Sequence, residues 1–237
     1  MRIDHLGHSG FLVETDGALL IFDYSRGDLS ILSRAKDKPL FVFASHAHGD
    51  HFDPAIFSLR EGREKVLYLL AFDLRGNAAI PQDADVRFLD ADQSYPVPGL
   101  GCVRTLLSTD EGVAFLVKTP KETIFHAGDL HWWDWPGEDA DWLAEQERVF
   151  KREVALIADE PIDAAFVVLD DRLEENYDRG MAHFLSVCKA RYVLPMHFWK
   201  DDSVIRRFAA AHGDLCEKTR ILDTANENHW EINMQEG

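Results

Sequence analysis

Cysteine is scarce in this chain and never paired. Of 237 residues, Cys102, Cys188 and Cys216 are the whole supply, far apart and odd in number, with no C-x-x-C pair. That excludes a disulfide framework and a cysteine-built zinc site, and it fits reduced thiols in a cytoplasmic protein. Long apolar runs are missing too. None approaches the roughly 18 residues of a membrane span, so no membrane partner is expected. Met1-Arg2-Ile3-Asp4-His5 carries no apolar segment of the kind that opens a secretory signal. Positive charge is thin: 25 Lys and Arg face 42 Asp and Glu, a formal net charge of -17. Such a surface repels phosphate backbones, and no Lys/Arg cluster offsets it, so nucleic acid is not an expected partner. No repeat, low-complexity segment or Pro/Ser-rich linker divides the chain, and residues 1–237 are expected to form a single domain.

What is present is an ordinary globular balance. The hydrophobic content is 46%, enough at this length to bury a substantial core. The first half reads as short apolar strands punctuated by Gly, Pro or Asp: 2–6, 10–14, 18–22, 41–44, 66–70, 86–89, 102–107, 113–118 and 123–126. Asp16-Gly17 is a tight-hairpin signal. Asp53-Pro54 predicts a helix start, with Asp as N-cap and Pro in the first turn, running to about residue 59. The second half mixes helices and strands. Residues 141–158 put Leu143, Phe150, Val154 and Ile157 on one helical face. A strand over 164–169, a helix over 178–189 and a strand over 191–196 follow. A last helix, capped by Asp201 or Asp202, carries Ile205, Phe208 and Ala209. The simplest architecture is two packed sheets with helices outside.

The chemistry concentrates in His46-Ala-His48-Gly-Asp50-His51, directly after the apolar run 41–44. Imidazole is the commonest ligand of zinc and similar metals, and carboxylate its usual companion. A strand ending in such a cluster presents several donors from one short loop on a rigid edge. The pattern recurs. Phe125-His126-Ala127-Gly128-Asp129 is a strand, a Gly turn and an Asp, and Leu194-Pro195-Met196-His197 is a strand ending in His. Three strand ends that deliver metal-competent donors can converge on one cleft.

The set His46-x-His48-x-Asp50-His51, Gly128-Asp129 and His197 resembles the metallo-β-lactamase superfamily, including its compact, lactonase-like branch. The opening Leu6-Gly7-His8-Ser9-Gly10-Phe11 and Ile21-Phe22-Asp23 resemble that superfamily's first strands, so the likeness spans nearly the whole chain in order. It implies a four-layer αββα sandwich, of the α+β or α/β class, with a metal site at one edge of the sheets. It further implies that His46 and His48 hold one metal, that Asp50, His51 and His197 hold another, and that Asp129 bridges them. Zn²⁺ suits these ligands, one or two per chain, and the carboxylates admit Mn²⁺ or Fe²⁺. Two metals about 3.5–4 Å apart lower the pKa of a water between them to roughly 7 and polarise the substrate oxygen. Where one metal is bound, Asp50 could orient or deprotonate the attacking water as the catalytic base.

One departure stands out. Relatives supply a third His to the first metal, whereas the matching segment here, Leu107-Ser108-Thr109-Asp110-Glu111-Gly112-Val113, has none. Asp110 could substitute, and Ser108 and Thr109 are poorer neutral donors. His8 is either a support that orients a ligand or a turn residue, and Asp23 reads as a buried tie between loops near the site. His126, His131 and His183 read as structural. Glu174-Glu175-Asn176-Tyr177-Asp178 reads as a solvated acidic loop. Trp132, Trp133 and Trp135 either wall the substrate cleft or pack their loop against the 141–158 helix. The expectation is a metal-dependent hydrolase using a metal-activated water on a small-molecule ester, lactone, amide or phosphoester. The rivals are a degenerate, non-catalytic metal- or ligand-binding protein and a nuclease, the latter disfavoured by the acidic charge.

Overall fold

Strands buried on both faces read as unbroken apolar runs, and this chain has several. Leu-Leu-Ile-Phe at Leu19–Phe22 and Leu-Phe-Val-Phe-Ala at Leu40–Ala44 are buried at every position, as inner layers of a multilayer fold require. The computed structural model describes residues 1–199, 201 and 203–233 and places these runs in two seven-stranded sheets.

The first sheet contains β1 (Arg2–Gly7), β2 (Gly10–Glu14), β3 (Leu19–Phe22), β4 (Leu40–Ala44), β5 (Val66–Ala71) and β6 (Val86–Leu89) side by side in chain order. The second holds β7 (Ser94–Val97), β8 (Gly101–Leu107), β9 (Val113–Lys118), β10 (Thr123–His126), β11 (Pro161–Val168), β12 (Lys189–Met196) and β13 (Arg220–Ile221), also in chain order. The last strand, β14 (His229–Glu231), returns to the first sheet and pairs with β1. Each sheet begins as an antiparallel meander and continues in parallel, from β3 to β6 in one and from β10 to β13 in the other. Ligand sites of parallel sheets form beyond the carboxyl ends of the strands, so this topology brings several such ends to one edge.

The sheets pack face to face through alternate residues. Leu20, Phe22, Phe41 and Phe43 point inward to the core shared with the second sheet, while Leu19, Ile21, Leu40 and Val42 point outward. Rings interlock across the interface: Phe11 stacks on Phe166 at 4.2 Å and Phe43 meets Phe115 edge-on at 5.2 Å. On the outer face of the second sheet lie α1 (Ala140–Ala155) and α2 (Arg179–Val187). Phe150, Val154, Met181 and Phe184 join their buried faces to the core. α3 (Val204–Ala211) adds Val204, Ile205 and Phe208, and α4 (Gly213–Cys216) follows. The architecture is the expected αββα sandwich. Among the described residues no helix is long and apolar enough to cross a membrane.

The differences from the sequence reading are local. The helix expected from Asp53 is a 3₁₀ segment, Pro54–Arg60, although Asp53 caps it by accepting from the Ala55 N–H at 2.8 Å. The 3₁₀ turns suffice to bury Ile56 and Phe57 against the first sheet. A second 3₁₀ segment, Leu29–Ala35, covers the same face with Leu32 and Ala35. Three strands escaped the pattern. β7 is an edge strand with Pro96 within it, β13 has two residues, and β14 has one buried side chain, Trp230. At the last helix the N-cap is Ser203, and Asp201 accepts from the Ser203 N–H at 2.8 Å. Asp202 lies outside the described residues.

Candidate metal centre

Six parallel strands end at the same edge, and each is followed by a polar residue that faces the site. β3 leads to Asp23, β4 to Ser45 and His46, β5 to Asp73, β10 to Asp129, β11 to Asp170 and β12 to His197. The loop after β4 is tied down at both ends. Asp73 accepts from the Ala47 N–H at 2.8 Å, and the His51 and Phe52 N–H groups donate to the His48 carbonyl at 3.0 and 2.9 Å. Two glycines let neighbouring loops close on it. At Gly112 (φ +67°) a Cβ would fall 1.8 Å from the Ser45 carbonyl oxygen, and at Gly128 (φ +52°) 2.6 Å from the Ser45 Cβ. The Gly in Ala-Gly-Asp129 is therefore a close-approach residue.

All six residues expected as ligands come together around Asp129. Its Oδ2 lies 3.5 Å from His46 Nε2, and its Oδ1 lies 3.2 Å from His51 Nε2 and 3.4 Å from His197 Nε2. The two carboxylate oxygens thus face two groups of donors. One is His46, His48 and Asp129. The other is Asp50, His51 and His197, which also takes in His8. His46 Nε2, His51 Nε2 and Asp129 Oδ1 are buried without a hydrogen-bond partner. Polar atoms orphaned in this way cost stability unless something else satisfies them. Four donors held tetrahedrally about 2.1 Å from one ion stand roughly 3.4 Å apart, close to the distances seen here. Imidazole and carboxylate donors at this spacing fit a divalent ion.

Each buried imidazole is held from behind, which fixes the nitrogen facing the site. His51 Nδ1 donates to Asp23 Oδ2 at 2.8 Å, and His197 Nδ1 donates to Asp170 Oδ2 at 2.9 Å. The Ser45 hydroxyl donates to Asp23 Oδ2 at 2.6 Å and accepts from His46 Nδ1 at 2.9 Å. In all three the Nδ1 carries a proton and the Nε2 points inward. Asp23 also accepts from the Ser45 N–H at 2.7 Å. Sequence reasoning did not name Asp170 or Ser45. Asp170 follows the strand expected over 164–169, so the strand-end argument that found His197 could have found it.

Charge follows this arrangement. Burial pushes His46 down to about 4, keeping it a neutral donor. Burial also opposes the charged form of His51, but the Asp129 and Asp23 carboxylates outweigh it and raise that imidazole well above its ordinary value. Against its own burial, Asp129 is held below the carboxylate range by His197 and His51. Asp170 is lowered to about 2, burial again opposing, by His197 and by Arg172. The Asp50 carboxyl is held low chiefly by the His8 imidazole beside it.

The segment lacking a third His resolves into separate jobs. The Thr109 hydroxyl donates to the His131 carbonyl at 2.6 Å and accepts from the His131 N–H at 2.9 Å, so it braces the loop after Asp129. Ser108 Oγ accepts from the Asp110 N–H at 3.1 Å. Asp110 Oδ2 faces His48 Nδ1 at 4.0 Å, and Glu111, which the sequence reading passed over, faces His48 Nε2 at 3.5 Å. His126 is structural: its Nε2 donates to the Ser9 carbonyl at 2.9 Å and its Nδ1 accepts from the Gly128 N–H at 3.1 Å. In the acidic loop, Glu174 and Glu175 are exposed while Asn176 is buried and donates to the Asp134 carbonyl at 2.9 Å.

The centre opens into a cavity of about 270 Å³ walled by Trp133, Trp135, Trp142, Trp199 and Arg172. The tryptophan cluster divides. Trp133 and Trp135 stack in parallel at 5.8 Å on the cavity wall, and Trp133 Nε1 donates to the Asp129 carbonyl at 3.1 Å. Trp132 turns away and lies under Lys151 Nζ at 4.3 Å. The Arg172 guanidinium sits 5.3 Å from the Trp135 ring and 5.0 Å from the Trp199 ring while its Nε donates to Asp170 at 2.9 Å.

Known proteins share this fold. A metal-dependent hydrolase from Opitutus terrae is 27% identical over 242 residues, covering 94% of this chain and 96% of that protein. The fold matches that of a metallo hydrolase from the archaeon Ignicoccus hospitalis with a TM-score of 0.64 at 17% identity, covering 98% of this chain and 99% of the other. A metal-dependent hydrolase structure from Parabacteroides distasonis also gives 0.64, at 14% identity, covering 93% of this chain and 92% of its own. A family model described as a beta-lactamase superfamily domain matches residues 2–134, more than half of the chain and the stretch from β1 through Asp129. With two seven-stranded sheets converging on the His46–Asp129–His197 edge, the chain belongs to the metallo-β-lactamase superfamily.

Proposed function

We propose that this protein is a metal-dependent hydrolase that cleaves a small-molecule ester, lactone, amide or phosphoester by attack of water. The observation that carries the reading is the set of buried, partnerless donor atoms, His46 Nε2, His51 Nε2 and Asp129 Oδ1, aimed at one another. His46 and His48 would hold one divalent ion and Asp50, His51 and His197 another, with Asp129 between them. Such ions would lower the pKa of water to roughly 7 and polarise the substrate oxygen. Zn²⁺ suits the imidazoles, and the carboxylates Asp50, Asp110 and Asp129 admit Mn²⁺ or Fe²⁺.

The chain's own groups divide the remaining work. The Asp50 side chain is one-third exposed, and where only one ion is bound its carboxylate would orient the attacking water or accept its proton. Trp133, Trp135 and Trp199 exclude water and offer flat apolar surface to a substrate with an apolar or ring-shaped part. The acidic surface favours a small molecule over nucleic acid, and three free cysteines suit a cytoplasmic setting.

The test is metal content per chain by plasma mass spectrometry, on protein purified without chelator, beside turnover on chromogenic esters, lactones and phosphodiesters. We expect bound metal, loss of turnover on chelation and recovery with Zn²⁺ or Mn²⁺. A chain that takes up no metal even after reconstitution would overturn the reading.

A further inference from the structure

Among the described residues, three of the five non-glycine residues with left-handed backbone are at the metal centre: His8 (φ +53°), Asp23 (φ +44°) and His197 (φ +68°). Such conformations are costly for residues with a Cβ and persist where the surroundings fix them. Asp23 and His197 have roles in the centre described above. His8 has none. It occupies the turn between β1 and β2 and is 5% exposed. Its ring packs 4.3 Å from that of His197 and 4.7 Å from that of Trp199. Its carbonyl is fastened by His5 Nε2 at 3.1 Å. The ring's Nε2 is buried without a hydrogen-bond partner, standing 3.3 Å from Asp50 Oδ2. One donor atom from each of His8, Asp50, His51 and His197 lies within 4.8 Å of all the others.

We infer that His8 is a metal donor, the fourth of a closed group with Asp50, His51 and His197, which makes this the tightly held metal position. The inference rests on the metal-dependent reading above. Two contrasts support it. A neutral imidazole buried with an orphaned nitrogen is satisfied by an ion as fully as by a hydrogen bond. And the two groups differ in donor number. Four side chains complete a tetrahedral shell at one position, whereas His46, His48 and Asp129 leave the other one donor short and open to water or substrate. His48, nearly half-exposed, stands on the open side. The division gives the missing third His a meaning. The first position has no third His, and the second takes in His8 from the turn between β1 and β2.

Co²⁺ titration of the full chain tests this, read by visible absorption and by proton NMR of the hyperfine-shifted, exchangeable imidazole signals. In the unmodified protein the first equivalent should give the intense bands of a four-coordinate ion and shift three imidazoles, those of His8, His51 and His197. Two shifted imidazoles would overturn the inference. His8→Gln should remove one signal, dim the bands and weaken the first equivalent by more than about 100-fold, beyond the 10–100-fold range of a residue that only orients a ligand. His8→Asn, whose side chain tolerates left-handed backbone, repeats the test should the Gln variant fold poorly. Variants that keep all three signals would make His8 a hydrogen-bond support of Asp50 instead. An unmodified chain that binds no Co²⁺ would refute the metal-dependent reading itself, a distinct result.

Discussion

His48 and His51 leave the same short loop three residues apart and meet opposite surroundings. The His51 ring is wholly buried, clamped by Asp23 on one nitrogen and facing Asp129 with the other. The His48 side chain is 47% exposed, and its neighbours are the equally exposed Asp110 and Glu111. The contrast extends to their groups. The buried one is braced from behind by carboxylates at the ends of β3 and β11. The open one has the exposed carboxylates Asp110 and Glu111 beside it, and the tryptophan-walled cavity reaches it through His48 and Asp129 and meets the buried one at Asp50 and His197. Rigidity and donor number on one side, access on the other, is the division of labour expected where one ion is retained and another meets substrate.

Asp129 belongs to the open group and turns its other carboxylate oxygen toward His51 and His197, so its loss should have the largest effect on turnover. Asp129→Ala is expected to lower hydrolytic turnover by at least about 10³-fold and to strip the open position of its ion, measured as rate and metal content on the same sample. Next comes the direct contrast. His51→Ala should abolish tight metal binding, whereas His48→Ala should keep one metal per chain and the thermal stability of the parent. Equal metal loss in both variants would break the comparison. Replacing the clamp, Asp23→Asn, should weaken the buried position by roughly 10–100-fold and the open one, reached only through Ser45 and His46, by less.

Two smaller effects depend on pH. His51 is raised above its ordinary value in the metal-free chain, so an incoming ion must displace its proton. Metal affinity should therefore rise with pH up to that pKa and level off above it, with proton release visible by calorimetry in buffers of different ionisation enthalpy. Asp170 is depressed from 3.8 to about 2. A depressed carboxyl contributes stability above its unfolded pKa and loses it as pH falls through the folded value. For the metal-free protein that amounts to about 2 kcal/mol at neutral pH. Asp170→Asn should cost a similar amount at pH 7, and the difference should vanish near pH 2. Chemical denaturation across that range would show it.

Much of the centre was legible because it follows strand ends. Apolar runs at 41–44, 123–126 and 191–196 each stop at a donor, and a parallel strand with a donor at its C-terminal end can be read from one short segment. Asp170 obeys the same rule at the end of β11 but lies one residue past the strand expected over 164–169, and it also caps the segment that follows, accepting from the Arg172 N–H at 3.0 Å. His8 was harder. Gly-His-Ser-Gly reads as a turn, and nothing local shows that the turn folds back over Asp50. The division of Trp132 from Trp133 and Trp135 was likewise invisible, since adjacent residues share composition and differ only in direction.

The sequence by itself determined the layers, the strands and the kinds of donor, because hydrophobic periodicity and ligand chemistry are written residue by residue. The tertiary structure alone decided which donors share an ion, which nitrogen of each imidazole faces inward and which side stays open. Those depend on contacts between residues far apart in the chain, such as His8 with His197 and Asp23 with His51, which exist only once the two sheets have closed on each other.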